Sequence, residues 1–167
     1  MSDTKISLKD IQIRTTLMPG DLGYVTYLHG TIYAREYNFG LQFETYVSEG
    51  LNEFLRQYDP KTNRVWVCEH NDRMIGFMLL INRGEAAQLR YFILEVPYRG
   101  IGLGKKLMSL YMNFLHDCGY KRSYLWTTDE LSAARSLYER HGFRLTEQRD
   151  SEAFGRKVTE LRFDLEL

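Results

Sequence analysis

Between Ala87 and Gly119 the chain passes from a long apolar stretch, through Pro97-Tyr98-Arg99-Gly100-Ile101-Gly102-Leu103-Gly104, into an apolar repeat on Leu107, Tyr111, Phe114, Leu115 and Cys118. An unbroken apolar run bounded by turn residues reads as a buried strand, and a 3.6-residue period reads as an amphipathic helix. The segment is therefore expected to be strand, glycine turn and helix. Glycine lets a backbone take positive φ and approach a ligand closely. A helix N-terminus offers unpaired N–H groups and a positive dipole end, which suits phosphate. Arg99 precedes the glycines, and Lys105 and Lys106 open the helix, where two cations oppose the dipole unless an anion docks there. The other reading is a plain tight turn with solvated lysines. Two familiar phosphate motifs do not fit: Lys106 stands where a Walker A loop needs Ser or Thr, and Gly-x-Gly-x-Gly is not the Gly-x-Gly-x-x-Gly of a dinucleotide fold.

The rest of the chain predicts a mixed α/β domain on one sheet, occupying residues 1–167. Ile11 to Arg14 alternates as a short strand. Asp21, after the Pro19-Gly20 break, is placed to cap a helix carrying Leu22, Val25, Leu28, Ile32 and Tyr33. Asn38-Phe39-Gly40 interrupts, and a second helix carries Phe43, Val47, Leu51, Phe54, Leu55 and Tyr58. Strands follow over Arg64–His70 and Arg73–Asn82, joined by an Asn71-Asp72 hairpin turn. Arg83-Gly84-Glu85 turns into Ala87–Val96. After the helix closed by Gly119 come a strand at Tyr124–Thr127, a helix over Leu131–Arg140 and two more strands. The order is β-α-α-β-β-β-α-β-α-β-β, and the two strand–helix–strand units after Ala87 predict parallel pairing.

Lys plus Arg and Asp plus Glu each total 22, so no global field favours nucleic acid or a membrane surface. No apolar run reaches the roughly 18 residues of a membrane span. The N-terminus has no apolar signal region, and a cytoplasmic protein is expected. Cys68 and Cys118 each lie in apolar runs and are expected to be buried, reduced thiols. His29 and His141 lack partners at metal spacing, so no metal is expected.

Arg99-x-x-Gly102-x-Gly104 resembles the Gln/Arg-x-x-Gly-x-Gly/Ala acetyl-CoA signature of the GNAT superfamily of acetyltransferases. Ala134-Arg135-Ser136-Leu137-Tyr138-Glu139-Arg140-His141-Gly142-Phe143 is similar to its second motif, Ala-x-x-Leu-Tyr-x-x-x-Gly-Phe. The runs Pro19–Gly23 and Tyr33–Tyr37, with Leu125–Thr128 and Ala153-Phe154-Gly155, resemble the acetyltransferase half of bacterial MarR-type regulator fusions. The acetyltransferase half is expected to use all 167 residues, so no helix-turn-helix half is expected among them. The resemblance implies a mostly antiparallel central sheet with one splayed parallel pair, flanked by helices.

It also implies roles. Arg99, Gly100, Ile101, Gly102, Leu103, Gly104 and Lys105 would wrap the coenzyme pyrophosphate with backbone N–H groups. Leu94, Glu95 and Val96 would bond the pantetheine arm and polarise the thioester carbonyl. Thr127, Ala134, Leu137 and Tyr138 would complete the acetyl-CoA site. Tyr138 would be the catalytic acid that protonates the leaving thiolate; packing on the sheet is its other reading. The general base stays open among Glu36, Glu44, Glu85, Glu95 and a water chain, because Gln88 occupies the position where histone-acetylating relatives carry a glutamate. Leu131 replaces a common asparagine, whose contact Thr127, Thr128 or Ser132 could supply.

The implied activity is acetyl transfer from acetyl-CoA to a primary amine of a small molecule, peptide or protein lysine by direct attack in a ternary complex. The alternative is an acetyl-CoA-binding sensor without turnover. Tyr24, Tyr27, Tyr33, Tyr37, Phe39, Phe43 and Tyr46 crowd the first two helices. They are read chiefly as core, with a cation–π surface for an ammonium as the other reading. The alternating C-terminal strand is a possible homodimer edge.

Overall fold

The computed structural model of the protein describes residues 5–167. One seven-stranded sheet runs in the order β1-β2-β3-β4-β5-β7-β6. Its strands are β1 (Gln12–Arg14), β2 (Arg64–His70), β3 (Arg73–Arg83), β4 (Ala86–Leu94), β5 (Arg122–Thr128), β6 (Arg144–Ser151) and β7 (Val158–Glu166). Helices α1 (Asp21–Tyr37) and α2 (Leu41–Arg56) cover one face; α3 (Leu103–Cys118) and α4 (Ser132–Arg140) cover the other.

Local chemistry explains the connections. Asn71 and Asp72 both take positive φ, 51° and 59°, the mirror-image turn that matches strand twist and joins β2 to β3 in two residues. Gly84, at φ 83°, does the same between β3 and β4. α3 ends where Gly119 enters the left-handed region and Tyr120 N–H bonds back to the Leu115 carbonyl at 3.1 Å.

β3 lies in the middle of the sheet with both faces covered, which is why Met74 to Ile81 is one buried run. Met78 and Leu80 face α3 and α4, whereas Phe77, Leu79 and Ile81 face α1 and α2.

The sheet departs from regularity in β4. Phe77 pairs with Ile93 and Leu79 with Arg90, so two β4 residues, Tyr91 and Phe92, oppose the single Met78. Tyr91 is the bulged residue, with φ 56°. The bulge reverses the faces: Ala87 and Leu89 join the α3/α4 core, but Tyr91 and Ile93 join the α1/α2 core. β4 pairs with β5 in parallel only through Ala86↔Arg122, Ala87↔Ser123 and Gln88↔Tyr124. Beyond Gln88 the two strands separate and leave a gap through the sheet.

The bulge leans on Gly50 of α2. A Cβ there would stand 1.7 Å from the Tyr91 hydroxyl oxygen, so Gly50→Ala must displace the phenol that anchors the bulge. Overpacking of this kind costs about 1–3 kcal/mol, and urea unfolding should show a loss in that range. Gly23, on the exposed side of α1, has nothing within 4 Å of its missing Cβ. Gly23→Ala should move stability the other way by about 0.5–1 kcal/mol through helix propensity alone.

Several expectations are corrected. The second strand–helix–strand unit makes no parallel pair, because β7 inserts between β5 and β6 and is antiparallel to both. The C-terminal strand is thus interior, and the sheet edges are β1 and β6. Asp21 does not act through the N-cap position, which Gly20 holds at φ 95°. Its carboxylate accepts from Arg14 at 2.6 and 3.1 Å and from the Met18 N–H at 2.7 Å. Cys68 is buried, and burial pushes its thiol up to about 12. Cys118 is only partly buried and donates to the Lys61 carbonyl at 3.3 Å.

Candidate active site

A short 3₁₀ turn at Val96–Tyr98 leads from β4 into the glycine segment. Gly100 at φ 77° and Gly102 at φ 90° use a backbone region that side-chain-bearing residues avoid. Gly104 serves a different purpose: a Cβ there would lie 3.3 Å from a Leu137 methyl, so its absence lets α3 pack close to α4. Among the described residues, no N–H from Gly100 to Lys105 makes a hydrogen bond. Six adjacent donors at a helix N-terminus form an anion cradle.

The gap between β4 and β5 opens from this cradle into a groove of about 560 Å³ that reaches both faces of the sheet. On the α3/α4 side its walls are Phe92, Leu94, Thr127, Ala134, Leu137 and Tyr138. On the α1/α2 side they include Tyr33, Phe43, Arg90, Trp126, Thr128 and Glu160. The loop after β6 closes this second side. Gly40 N–H bonds the Phe154 carbonyl at 2.9 Å, Phe154 stacks on Phe39 at 5.2 Å, and Arg156 joins the Tyr37 carbonyl to the Glu130 carboxylate. Of the seven aromatic residues of α1 and α2 read chiefly as core, only Phe39 and Phe43 are buried. Those two line the groove together with Tyr33, Tyr37 and Tyr46. They belong to its wall because the bulge and splay leave the sheet open beneath them.

Tyr138 is buried on α4 with its ring edge-on to Phe92 at 6.4 Å and 6.2 Å from Phe143. Burial raises its phenol far above the ordinary value, and the Tyr33 phenol nearby adds to the effect. Its hydroxyl makes no hydrogen bond within the described residues. A phenol held protonated in an apolar wall is fit to donate a proton to an anion formed beside it.

The structure brings most of the predicted residues together. Leu94, Arg99, Gly100, Gly102, Gly104, Lys105, Thr127, Ala134, Leu137 and Tyr138 all line the groove. Leu103 packs in the core and Val96 is exposed. Ile101 packs against the α3/α4 core. The Glu95 N–H bonds the Ile75 carbonyl at 2.9 Å, and its carboxylate holds Arg73 at 2.5 and 2.9 Å. Arg99 spends its guanidinium on Glu36, at 2.6 and 2.9 Å, and on the Leu94 carbonyl at 3.0 Å.

The carboxylates considered as bases are mostly committed elsewhere. The Arg99 hydrogen bonds hold Glu36 below the usual carboxylate range. Glu85 is exposed and paired with Arg122 at 3.3 Å, and Glu44 does not line the groove. Glu160 escaped the sequence reading, and His29 entered it only as a metal candidate. Glu160 of β7 is 6% exposed and accepts from Arg149 Nε at 3.2 Å. His29 is buried, places its Nδ1 2.8 Å from the Val25 carbonyl, and is pushed down to about 4 by burial. The alternation of Leu161, Phe163 and Leu165 puts Glu160 on the opposite face; only the loop from β6 makes that face an inside wall. Among the described residues no three His, Cys, Asp or Glu side chains converge as a metal would require, and no helix is long and apolar enough to cross a membrane.

The sequence pattern of the acetyltransferase (GNAT) family matches residues 31–143. An uncharacterized N-acetyltransferase of Escherichia coli K12, YjgM, is 31% identical over 103 residues, covering 59% of this chain and 62% of the relative, so the match spans less than two thirds of that protein. A GNAT-family acetyltransferase structure from Staphylococcus aureus superposes with a TM-score of 0.76 at 19% identity, over 94% of this chain and 99% of the other. A spermidine N-acetyltransferase from Vibrio cholerae, in complex with CoA and spermine, superposes with a TM-score of 0.67 at 21% identity, over 95% and 96%.

Proposed function

The chain belongs to the acetyltransferase (GNAT) family, and on that footing we propose that it moves the acetyl group of acetyl-CoA to a primary amine by direct attack in a ternary complex. The observation that carries this reading is the continuity of the groove. It has a cradle of unused N–H groups at one mouth and a protonated phenol within. It continues onto the α1/α2 side, where an acceptor would lie apart from the coenzyme.

In this reading the N–H groups of Gly100 to Lys105 hold the pyrophosphate, supported by the Lys105 charge. Leu94, Ala134 and Leu137 flank the pantetheine arm. The freed edge of β4 beyond Gln88 faces the thioester, where a backbone N–H aimed at the carbonyl oxygen stabilises the charge that develops during attack. The ammonium gives a proton to water in the groove, the amine nitrogen bonds to the acetyl carbon, the carbon–sulfur bond breaks, and Tyr138 gives its proton to the departing thiolate. We further read the likeness to the acetyltransferase half of MarR-type fusions as kinship within the family. Phe154, which belongs to that likeness, lies in the groove wall.

The test is release of free coenzyme thiol from acetyl-CoA across a panel of amines and peptides, with the acetylated product identified by mass. Release with at least one acceptor is expected. Saturable acetyl-CoA binding with no release from any acceptor would favour the sensor reading instead.

A further inference from the structure

The charged groups on the α1/α2 side of the groove nearly all satisfy one another. Glu36 is bound by Arg99, and Glu130 by Arg156. Lys105 and Arg140 belong to the helices of the coenzyme side. Two charged groups keep hydrogen-bonding capacity that no described residue uses.

The first is Arg90. It is the Cα partner of Leu79, so it shares the α1/α2 face, and the bulge brings Tyr91 onto the same face beside it. Its guanidinium lies over the Tyr91 and Tyr46 rings, 4.6 and 5.4 Å from their centroids. Among the described residues it makes no hydrogen bond or ion pair. Glu53 is near enough to feel its charge but is held by Arg83 at 2.8 Å. The rings take the face of the guanidinium, and its N–H donors stay available for a carboxylate or similar group.

The second is Glu160. It is ion-paired with Arg149 through one carboxylate oxygen, at 3.2 Å, and the other oxygen has no partner among the described residues. Its cross-strand partner is Thr128, whose hydroxyl is buried with no hydrogen-bond partner. Thr128 is 5% exposed and lines the same groove. A free carboxylate oxygen beside an orphaned hydroxyl makes a seat for an ammonium.

An unpaired guanidinium and a carboxylate with one oxygen unused, in a single groove, suit a ligand with the complementary pair. Resting on the acetyl-transfer reading, we propose that the acceptor is an aminocarboxylate-like molecule, its amine seated on Glu160 and Thr128 and its anionic group on Arg90. Tyr46, Trp126 and Phe154 provide apolar surface for the rest of it. A polyamine would set a second positive charge against Arg90 with nothing to offset it.

The experiment follows thiol release with matched acceptor pairs that differ in one carboxylate. These are L-phenylalanine with 2-phenylethylamine and 6-aminohexanoate with hexylamine, with spermidine as the polycation. Acetyl-CoA binding by calorimetry is run alongside for each variant. Wild-type protein should prefer one aminocarboxylate over its matched amine by roughly 10- to 100-fold in kcat/KM, the range of one charge-assisted contact. Arg90→Met should erase that preference by raising KM for the aminocarboxylate, with acetyl-CoA affinity unchanged. Glu160→Gln should lower kcat for both members of a pair, and Glu160→Asp should recover part of it. Equal or better turnover of the plain amines or spermidine, or a preference that survives Arg90→Met, overturns the inference while leaving acetyl transfer in place. No release from any member of the panel removes the transfer reading and the inference with it.

Discussion

Replacing Tyr138 by phenylalanine is expected to lower kcat for acetyl transfer by about 10²- to 10⁴-fold, the usual contribution of a positioned general acid, with acetyl-CoA affinity preserved. The ring packs between Phe92 and Phe143, and phenylalanine keeps those contacts. The hydroxyl has no partner among the described residues, so its removal leaves none of them unsatisfied. What disappears is the phenol proton on the α3/α4 wall of the groove. The thiolate must then leave without protonation or take its proton from water. Steady-state turnover measured beside calorimetric titration of acetyl-CoA separates the two effects. Unchanged turnover would assign Tyr138 to packing alone, and lost coenzyme affinity would assign it to binding.

Acidification is expected to remove about 3 kcal/mol of stability through His29 alone. Its imidazole is buried beneath Tyr33, Phe43 and Tyr91, and desolvation of the cation lowers its folded value from 6.5 to about 4. Between those values the unfolded chain binds a proton that the folded chain refuses, so unfolding becomes easier as pH falls. The contribution is whole above pH 6.5, declines through pH 5 and is spent near pH 4. Urea unfolding of wild type and His29→Gln at pH 7 and pH 4.5 isolates it, because both proteins share every other titrating group. The wild type should lose more stability than the variant between the two pH values. Equal losses would mean that the imidazole is free to charge in the folded state.

The sequence made the glycine turn and its α4 wall legible and the α1/α2 side of the groove largely not. Gly100, Gly102 and Gly104 announced a tight turn into a helix because glycine has few other reasons to recur there. The Leu137-Tyr138 pair stood inside a motif with its own helical period. Local signals of this kind depend on neighbours in the chain. The bulge at Tyr91 depends instead on Gly50, forty-one residues away, whose missing side chain makes room for a phenol. No periodicity within β4 reports it, and without it Arg90 and Tyr91 would face opposite sides of the sheet. The position of β7 was lost for a related reason. Its alternation identified a strand with one buried face, but strand order is set by a chain crossing that leaves no local mark. The aromatic residues of α1 and α2 have core composition; whether they meet packed sheet or open groove depends on the splay of β4 from β5.

The most direct measurement is calorimetric titration of acetyl-CoA into the full chain. Saturable binding at one site, weakened by added salt as expected for a phosphate cradle, is the predicted result. Absence of binding at millimolar acetyl-CoA, by a protein that unfolds cooperatively and is therefore intact, would contradict the assignment of the groove to the coenzyme.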